Sequence, residues 1–491
     1  MPNKIDELND IRQKLTSGGG EKLVSMQHDK GKLTARERVV MLFDEGTFVE
    51  TGLFINSSMK DEMVAEGIAT GYGQINGRLV YAVSDDYTVL NGSLGKVHIE
   101  KILKCQFDAI KLGVPIVYIF DSSGIRVEEG LETLSALSKV IKNISNYKGI
   151  IPQISIILGQ CAGTLSFASA LTDFVFMVEN TSKMFLNGKV ALIDSDKVGI
   201  DDSIYGSAKI HASETGIANF VSSDEKAAIS SVRILLSYLP QNNREVPECA
   251  AISDDLNRVC ESLNKIDYDN DYDIKNIINE IADSNSFFEV SECYAKNVIT
   301  GFINLGGIVV GVIANNKKVL EGDLDIASSK KIENFITILD SFNIPILTLV
   351  DSTGFAKTYE EEKNGNLKSA SDIIFAYSNA NVPMVTLVIN NAIGASYMCM
   401  GNKDIGVDEV LSFPNAKIAV MNENVLLNIL YSDELKKATA DEKKEMLDKL
   451  EKEKISPYVA ASMGLIDDII EPKYARMRLI SAFDKLLTKA I

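Results

Sequence analysis

The two halves of this 491-residue chain repeat one another at a nearly constant spacing of 230 to 231 residues. The segment GQINGRLVYAVSDDYTVLNGSL (73–94) aligns with INLGGIVVGVIANNKKVLEGDL (303–324). The register continues through LGVPIVYIFDSSG and FNIPILTLVDSTG, and then through IPQISIILGQCAG and VPMVTLVINNAIG. Two unrelated α/β halves could share strands that begin at a proline, but they would not hold one register over so long a stretch. Internal repetition of this kind predicts two copies of one domain.

Each copy alternates short apolar runs with longer amphipathic stretches, which predicts an α/β fold. Two of the apolar runs in each copy end in turns of small residues: DSSG and QCAGT in the first copy, DSTG and NAIGAS in the second. Such turns let the backbone approach a ligand and leave N–H groups free to donate. Two facing turns would form an oxyanion hole, so we expect one hole in each copy. The alternative is that the glycines only allow tight packing of strand against helix.

Composition excludes several other classes of function. The chain has 50 Lys and Arg against 68 Asp and Glu, a formal net charge of −18, so we expect no nucleic-acid partner. No apolar run reaches the roughly 18 residues of a membrane span, and the polar N-terminus is unlike a signal peptide. Six scattered cysteines and three histidines lack metal-binding spacing, so we expect no metal site and a cytoplasmic protein.

Several long motifs are distributed over both halves: GKLTARERVVMLFDEGTFVE (31–50), VSDDYTVLNGSLGKVHIEKI (83–102), DSSGIRVEEG (121–130), KIHASETGIANF (209–220), VLEGDLDIASSKKIENFI (319–336) and FNIPILTLVDSTGF (342–355). By these motifs the chain resembles the biotin-dependent acyl-CoA carboxyltransferases, a family that includes propionyl-CoA carboxylase β subunits and methylmalonyl-CoA transcarboxylase and decarboxylase subunits. The resemblance covers nearly the whole chain.

This resemblance implies two tandem crotonase-like domains, each a ββα spiral, related by the internal duplication. We expect an N-terminal domain of residues 1–256 that binds the acyl-CoA and a C-terminal domain of residues 263–491 that binds biotin. The family's chemistry implies that carboxybiotin yields CO2 and a biotin enolate that removes the α-proton of the acyl-CoA. By the same resemblance, one hole holds the thioester enolate and the other the ureido oxygen of biotin. Their donors map to Ser123, Gly124, Gly163 and Thr164, and to Thr353, Gly354, Gly394 and Ala395.

The phosphates of CoA need cationic partners despite the acidic balance of the chain. A basic cluster in the N-terminal region and one arginine after the DSSG turn are the candidates: Lys30, Lys32, Arg36, Arg38 and Arg126. The alternative is that the cluster between 30 and 38 only pairs with acidic neighbours.

Some positions depart from the family's usual pattern. Thr164 and Ile125 add bulk beside the expected acyl group, and Lys368-Ser369-Ala370-Ser371 replaces a usual Arg-His-Gly-Ala. The chain has no biotinylation motif and no ATP-grasp segment, so the resemblance implies a separate biotin carboxyl carrier protein, a biotin carboxylase subunit or other carboxyl donor, and a homohexamer.

Three functions stay open. The first is a carboxyltransferase subunit that moves CO2 between carboxybiotin and an acyl-CoA such as propionyl-CoA or methylmalonyl-CoA. The second is the same subunit in a sodium-pumping acyl-CoA decarboxylase. The third is an inactive assembly scaffold of the same fold.

Overall fold

The computed structural model describes residues 3–55, 65–188, 191–192, 201–252, 254–270 and 272–489. The chain divides into two compact units, Met1–Val246 and Pro247–Ile491. This division falls earlier in the chain than the expected end of the first domain at residue 256. The backbone N–H of Ala250 donates to the carbonyl of Gly307 at 2.8 Å, which ties the start of the second unit to its own sheet.

The first unit is built on one sheet of eight strands in the order β1-β2-β3-β4-β5-β6-β8, with β7 paired to β5. The first three strands are antiparallel, and the pairs from β3 onward are parallel. The strands are β1 Val49–Glu50, β2 Ile68–Ile75, β3 Arg78–Asp85, β4 Ile116–Ser122, β5 Gln153–Ala162, β6 Phe174–Val178, β7 Lys183–Phe185 and β8 Phe220–Ser222.

The second unit repeats this sheet strand for strand. Its order is β16-β14-β13-β12-β11-β10-β9, with β15 paired to β13, so the duplication predicted from the sequence is confirmed. The strands are β9 Phe288–Val290, β10 Val298–Leu305, β11 Ile308–Asn315, β12 Ile346–Ser352, β13 Met384–Ile393, β14 Glu409–Ser412, β15 Lys417–Ala419 and β16 Asp468–Ile469.

Helices connect the parallel strands and cover the sheets. Those described in the first unit are Lys4–Thr16, Glu21–His28, Ala35–Leu42, Lys96–Leu112, Gly130–Tyr147, Ser166–Leu171, Ala208–Ser213 and Glu225–Tyr238. Those described in the second unit are Ile274–Ile281, Ile326–Ser341, Tyr359–Asn364, Asn366–Asn379, Ala395–Cys399, Glu423–Leu430, Ser432–Leu435, Ala440–Leu450, Pro457–Ser462 and Ala475–Leu486.

The central strand of each sheet, β4 in the first and β12 in the second, is buried on both faces. Every residue of β4 and of β12 is buried, as expected for parallel strands with helices on either side. Their sequences, IVYIFDS and ILTLVDS, therefore lack the alternation of an exposed strand. Each ends in Asp-Ser, which places a buried carboxylate directly before the small-residue turn.

Two searches of the described residues for particular features gave negative results. Among these residues, no helix has the length and apolar character needed to cross a membrane. The same part of the chain contains no group of three or more His, Cys, Asp or Glu side chains arranged to hold a metal ion.

Candidate functional site

The two small-residue turns of the first unit meet at the carboxyl end of its sheet. β4 and β5 are parallel neighbours, and their register shifts between Phe120 and Ser122 so that Ser122 lies opposite Cys161. Gly124 has φ +103°, and a Cβ atom there would lie 3.1 Å from the carbonyl oxygen of Ala162. The backbones of the two turns are therefore in contact, and we call residues 122–124 with 162–164 the first turn pair.

The second unit has the same arrangement. β12 and β13 are parallel neighbours with a register shift between Val350 and Ser352, which brings Ser352 opposite Ala392. The hydroxyl of Ser396 lies 3.2 Å from the carbonyl oxygen of Ser352 and 2.8 Å from that of Ile393, so it ties the two turns together. Residues 352–354 with 393–395 form the second turn pair.

The N–H groups of the first turn pair differ in how they are occupied. That of Ser123 donates to the carbonyl of Asn91 at 3.1 Å, and that of Gly124 donates to Ser122 Oγ at 3.1 Å. Thr164 lies in the first turn of a short 3₁₀ helix, Gly163–Leu165, where no intrahelical acceptor exists for its N–H. Gly163 has φ +66°, and the space where its Cβ would lie is open for at least 4 Å.

The second turn pair is occupied in a related way. The N–H of Thr353 donates to Asp323 Oδ1 at 3.0 Å, and that of Gly354 donates to Ser352 Oγ at 3.2 Å. Gly394 donates to the carbonyl of Ala419 at 2.8 Å. Ala395 is the first residue of the helix Ala395–Cys399, so its N–H has no acceptor within that helix.

This geometry ranks the expected donors. The N–H groups of Thr164 and Ala395 have no acceptor within their own helices, whereas those of Gly124 and Gly354 donate to a neighbouring serine hydroxyl. An anionic oxygen is a stronger acceptor than a hydroxyl, so it can draw these two N–H groups to itself. Gly124 and Thr164 in the first turn pair, and Gly354 and Ala395 in the second, therefore carry the N–H groups that are the candidates for donation to a negatively charged oxygen.

A buried charge cluster lies beneath the first turn pair. Asp121 Oδ1 accepts from Lys32 Nζ at 2.7 Å, and Oδ2 accepts from Gln27 and from Arg38, each at 3.0 Å. Arg38 also donates to both carboxylate oxygens of Glu225, at 2.6 and 2.9 Å. Burial favours a raised pKa for Asp121, but the charges of Arg38 and Lys32 outweigh it and hold the pKa below its usual value. Arg38 is completely buried, so the structure gives its charge to these carboxylates rather than to a surface ligand.

The remaining expected phosphate ligands have different surroundings. Arg36 makes a bidentate pair with Glu50 at 2.7 and 3.0 Å. Arg126 donates to Glu66 and to Glu129, each at 2.8 Å, and to the carbonyl of Ser93. Lys30 is exposed, and within the described part of the chain its ammonium group makes no ion pair. Of the five cations, Lys30 is therefore the one whose charge is available to a ligand without breaking an existing pair.

The corresponding carboxylate of the second unit, Asp351, has uncharged partners instead. Its Oδ2 accepts from Tyr272 at 2.8 Å, and its Oδ1 accepts from the backbone and side-chain amides of Asn391 at 3.0 and 2.9 Å. In the first unit, a Cβ atom on Gly159 would lie 1.9 Å from Asp121 Oδ1 and 2.5 Å from Lys32 Nζ. The absence of a side chain at Gly159 therefore makes room for the ion pair between Asp121 and Lys32.

One pair of buried polar side chains was missed by the motif analysis. Asp85 and His98 lie beneath the first turn pair, with His98 Nε2 3.0 Å from Asp85 Oδ1. Both are part of the motif VSDDYTVLNGSLGKVHIEKI, but neither has a metal-like or catalytic spacing. The internal repeat could have drawn attention to this pair, because it aligns Asp85 with Asn315 and His98 with Ser328, so both residues differ between the two copies.

Comparisons with known proteins agree with this architecture. A family model described as the carboxyl transferase domain matches residues 26–491. Methylmalonyl-CoA decarboxylase subunit alpha of Propionigenium modestum is 42% identical over 494 residues, which cover 98% of this chain and 96% of the relative. The propionyl-CoA carboxylase carboxyltransferase subunit of Haloferax mediterranei is 40% identical over 502 residues, covering 100% and 97%.

Among solved structures, that of transcarboxylase 12S with methylmalonyl-CoA and methylmalonic acid bound superposes with a TM-score of 0.95 at 35% identity. The match covers 100% of this chain and 97% of the transcarboxylase chain. The expected fold class, two tandem crotonase-like domains, is confirmed by this likeness and by the two matching sheets. The chain therefore belongs to the carboxyl transferase domain family.

Proposed function

We propose that this protein is the carboxyltransferase subunit of a biotin-dependent enzyme and exchanges a carboxyl group between propionyl-CoA or methylmalonyl-CoA and biotin on a separate carrier protein. The observation that carries the proposal is the full-length likeness to transcarboxylase 12S, whose structure holds methylmalonyl-CoA, together with two turn pairs in one chain. Two turn pairs suit a reaction in which two carbonyl oxygens gain negative charge.

In this proposal the first turn pair binds the thioester carbonyl of the acyl-CoA. Removal of the α-proton, or of the carboxyl group in the reverse direction, moves negative charge onto that oxygen. The N–H groups of Thr164 and Gly124 donate to it, the latter after leaving Ser122 Oγ. One such donor contributes about 2.7–4 kcal/mol to the stability of the transition state. The protein therefore needs no acid–base side chain at this oxygen.

The second turn pair has the chemistry required to hold the ureido oxygen of biotin. The N–H of Ala395 is left over by its helix, and the Cβ position of Gly354 is open for at least 4 Å, which leaves room for a ring against the backbone. Biotin, when bound, would supply the carboxyl group and the base. The contribution of the chain is to fix the ureido oxygen and to stabilise the charge that develops on it.

We propose Lys30 as the leading phosphate ligand of CoA. Its exposed ammonium group carries a charge that no carboxylate of the described residues offsets. Arg126 is assigned a different task, because its ion pairs with Glu66 and Glu129 and its bond to the Ser93 carbonyl fix the chain next to the first turn pair.

The second candidate is the corresponding subunit of an acyl-CoA decarboxylase. Two methylmalonyl-CoA decarboxylase alpha subunits, from Propionigenium modestum and Veillonella parvula, are 42% and 41% identical to this chain. Both candidates share the same transfer step and differ in the partner subunits that complete the reaction. Purification of the native complex distinguishes them: a membrane protein in fixed proportion supports the decarboxylase, and a biotin carboxylase subunit supports the carboxylase.

We also propose that the protein acts as a homohexamer, the assembly stated for transcarboxylase 12S. Both units expose large apolar side chains in the segments that follow β4 and β12: Val127 and Leu131 in the first, at 77% and 82%, and Leu367 and Phe375 in the second, at 78% and 69%. A subunit interface would cover such side chains. Sedimentation that shows an active monomer near 54 kDa would refute the assembly.

The function is tested by incubating the purified protein with methylmalonyl-CoA and free biotin and by following propionyl-CoA. We expect propionyl-CoA to form only when biotin is present, and acetyl-CoA, butyryl-CoA and 3-methylcrotonyl-CoA to define the acyl specificity in the carboxylation direction. If a folded, hexameric protein transfers no carboxyl group to or from any of these acyl-CoAs, even with a biotinylated carrier, the protein is an inactive scaffold.

A further inference from the structure

Asp85 and His98 form a buried pair that contacts the strand leading into the first turn pair. Asp85 is 2% exposed and His98 is 0% exposed. Asp85 is the last residue of β3, and His98 lies near the start of the helix Lys96–Leu112. Asp85 Oδ1 faces His98 Nε2 at 3.0 Å, and Asp85 Oδ2 accepts a long hydrogen bond of 3.4 Å from the backbone N–H of Asp121. Asp121 directly precedes Ser122-Ser123-Gly124.

The second unit performs the same task without a charge. Asn315, the residue aligned with Asp85, accepts from the backbone N–H of Asp351 at 3.2 Å and donates through Nδ2 to the carbonyl of Gly322 at 2.9 Å. The residue aligned with His98 is Ser328, whose hydroxyl bonds to Asp325 at the start of its own helix. One amide therefore holds both the strand end and the neighbouring turn in the second unit.

The carboxylate of Asp85 cannot act alone as Asn315 does. A carboxylate only accepts hydrogen bonds, and burial, together with the like charge of Asp121, raises the pKa of Asp85. A buried carboxylate needs a donor or a positive charge close by. The imidazole of His98 provides a donor, while the cations below the turn, Lys32 and Arg38, are bonded to Asp121 instead.

We propose that Asp85 and His98 are a positioning pair that sets the location of the Asp121–Gly124 backbone and, with it, the donor geometry of the first turn pair. His98 holds the side chain of Asp85, and Asp85 holds the N–H of Asp121. The effect on turnover rests on the function proposed above. The effect on the backbone does not, because it follows from the hydrogen bonds themselves.

Turnover is measured in four hexameric variants: Asp85→Ala, Asp85→Asn, His98→Ser and the double variant Asp85→Asn/His98→Ser, which copies the second unit. We expect Asp85→Ala and His98→Ser to lower kcat by about 10- to 100-fold with KM for the acyl-CoA changed less than about threefold, since a small misplacement of reacting groups costs rates of this order. Asp85→Asn and the double variant should regain most of the wild-type kcat. A merely structural role would lower the amount of folded protein and would not produce this rescue.

Hydrogen–deuterium exchange provides a second measurement that does not depend on activity. We expect faster exchange in a peptide covering residues 117–126 of Asp85→Ala than in the wild type, near wild-type exchange in Asp85→Asn, and no change in the peptide covering 347–356. Equal exchange of the 117–126 peptide in Asp85→Ala and the wild type would overturn the proposal. If the wild type transfers no carboxyl group, the proposed function fails, and the exchange measurement still decides the positioning role.

Discussion

Replacing Ala395 by proline should remove one hydrogen-bond donor from the second turn pair while leaving the fold intact. Proline has no N–H, and the first position of a helix is the one where it is best tolerated. Ala395 is exposed and begins the helix Ala395–Cys399. The preceding residue, Gly394, has φ +60° and ψ −129°. This extended ψ keeps the ring of a proline at position 395 away from the backbone nitrogen of Gly394. Proline at Gly394 itself would fail, because its φ is fixed near −65°.

The size of the effect follows from how the other donors are occupied. The N–H of Gly394 is bonded to the carbonyl of Ala419, and that of Thr353 is bonded to Asp323. Neither N–H group can replace the lost donor without breaking its present hydrogen bond, so we expect most of the transition-state stabilisation by Ala395 to be lost. Loss of one oxyanion-hole donor costs about 2.7–4 kcal/mol, which corresponds to a 10²- to 10³-fold lower kcat.

The assay is the transfer of the carboxyl group from methylmalonyl-CoA to biotin, with the dissociation constant of the acyl-CoA measured separately. We expect Ala395→Pro to retain acyl-CoA binding, since that is assigned to the other unit. Ala440→Pro is the matched control, because Ala440 is also an exposed first residue of a helix and follows a residue with extended ψ. Wild-type turnover in a folded Ala395→Pro hexamer would show that this N–H has no part in the reaction.

Three further predictions concern charges. Asp121→Asn should lower the free energy of unfolding at pH 7 by about 3–5 kcal/mol because it leaves buried cations short of a partner, whereas Asp351→Asn, with uncharged partners, should cost less in the same thermal-unfolding assay. Because folding lowers the pKa of Asp121 from its ordinary value of 3.8, the ionised carboxylate stabilises the protein fully above that pH, and this stabilisation is lost as the pH falls through the lowered pKa. The difference in unfolding free energy between the wild type and Asp121→Asn should therefore become smaller in acid, and a difference that grows there would contradict the assignment. Lys331→Met should lower the free energy of unfolding more than Lys101→Met does, because, counted over the described residues, Lys331 Nζ donates to three carbonyl groups and Lys101 Nζ to one. A buried carbonyl left without its donor costs about 1–3 kcal/mol, and equal unfolding temperatures of the two variants would refute this. Lys30→Ala should weaken CoA binding severalfold by calorimetry while Lys30→Arg preserves it, and unchanged affinity in both would remove Lys30 from the phosphate site.

The duplication and the positions of the turns were predictable from the sequence for a local reason. Apolar runs such as IVYIFDS and ILTLVDS have the length and side chains of buried strands, and each is followed by small residues. Parallel neighbouring strands end at the same edge of a sheet, so two turns that follow such strands must meet. The repeat then predicted the same arrangement twice, and both sheets have it.

The partners of the charged residues were decided by the tertiary structure. Nothing in the local pattern around Arg38 distinguishes it from Lys30, yet Arg38 is completely buried against Asp121 and Glu225 and Lys30 is exposed. Likewise, the sequence aligns Asp85 with Asn315 but does not show that one needs an imidazole and the other does not. These outcomes depend on which groups from distant parts of the chain share a dry environment, because burial determines how much a charge gains from its partner, and periodicity along the chain carries no information about that.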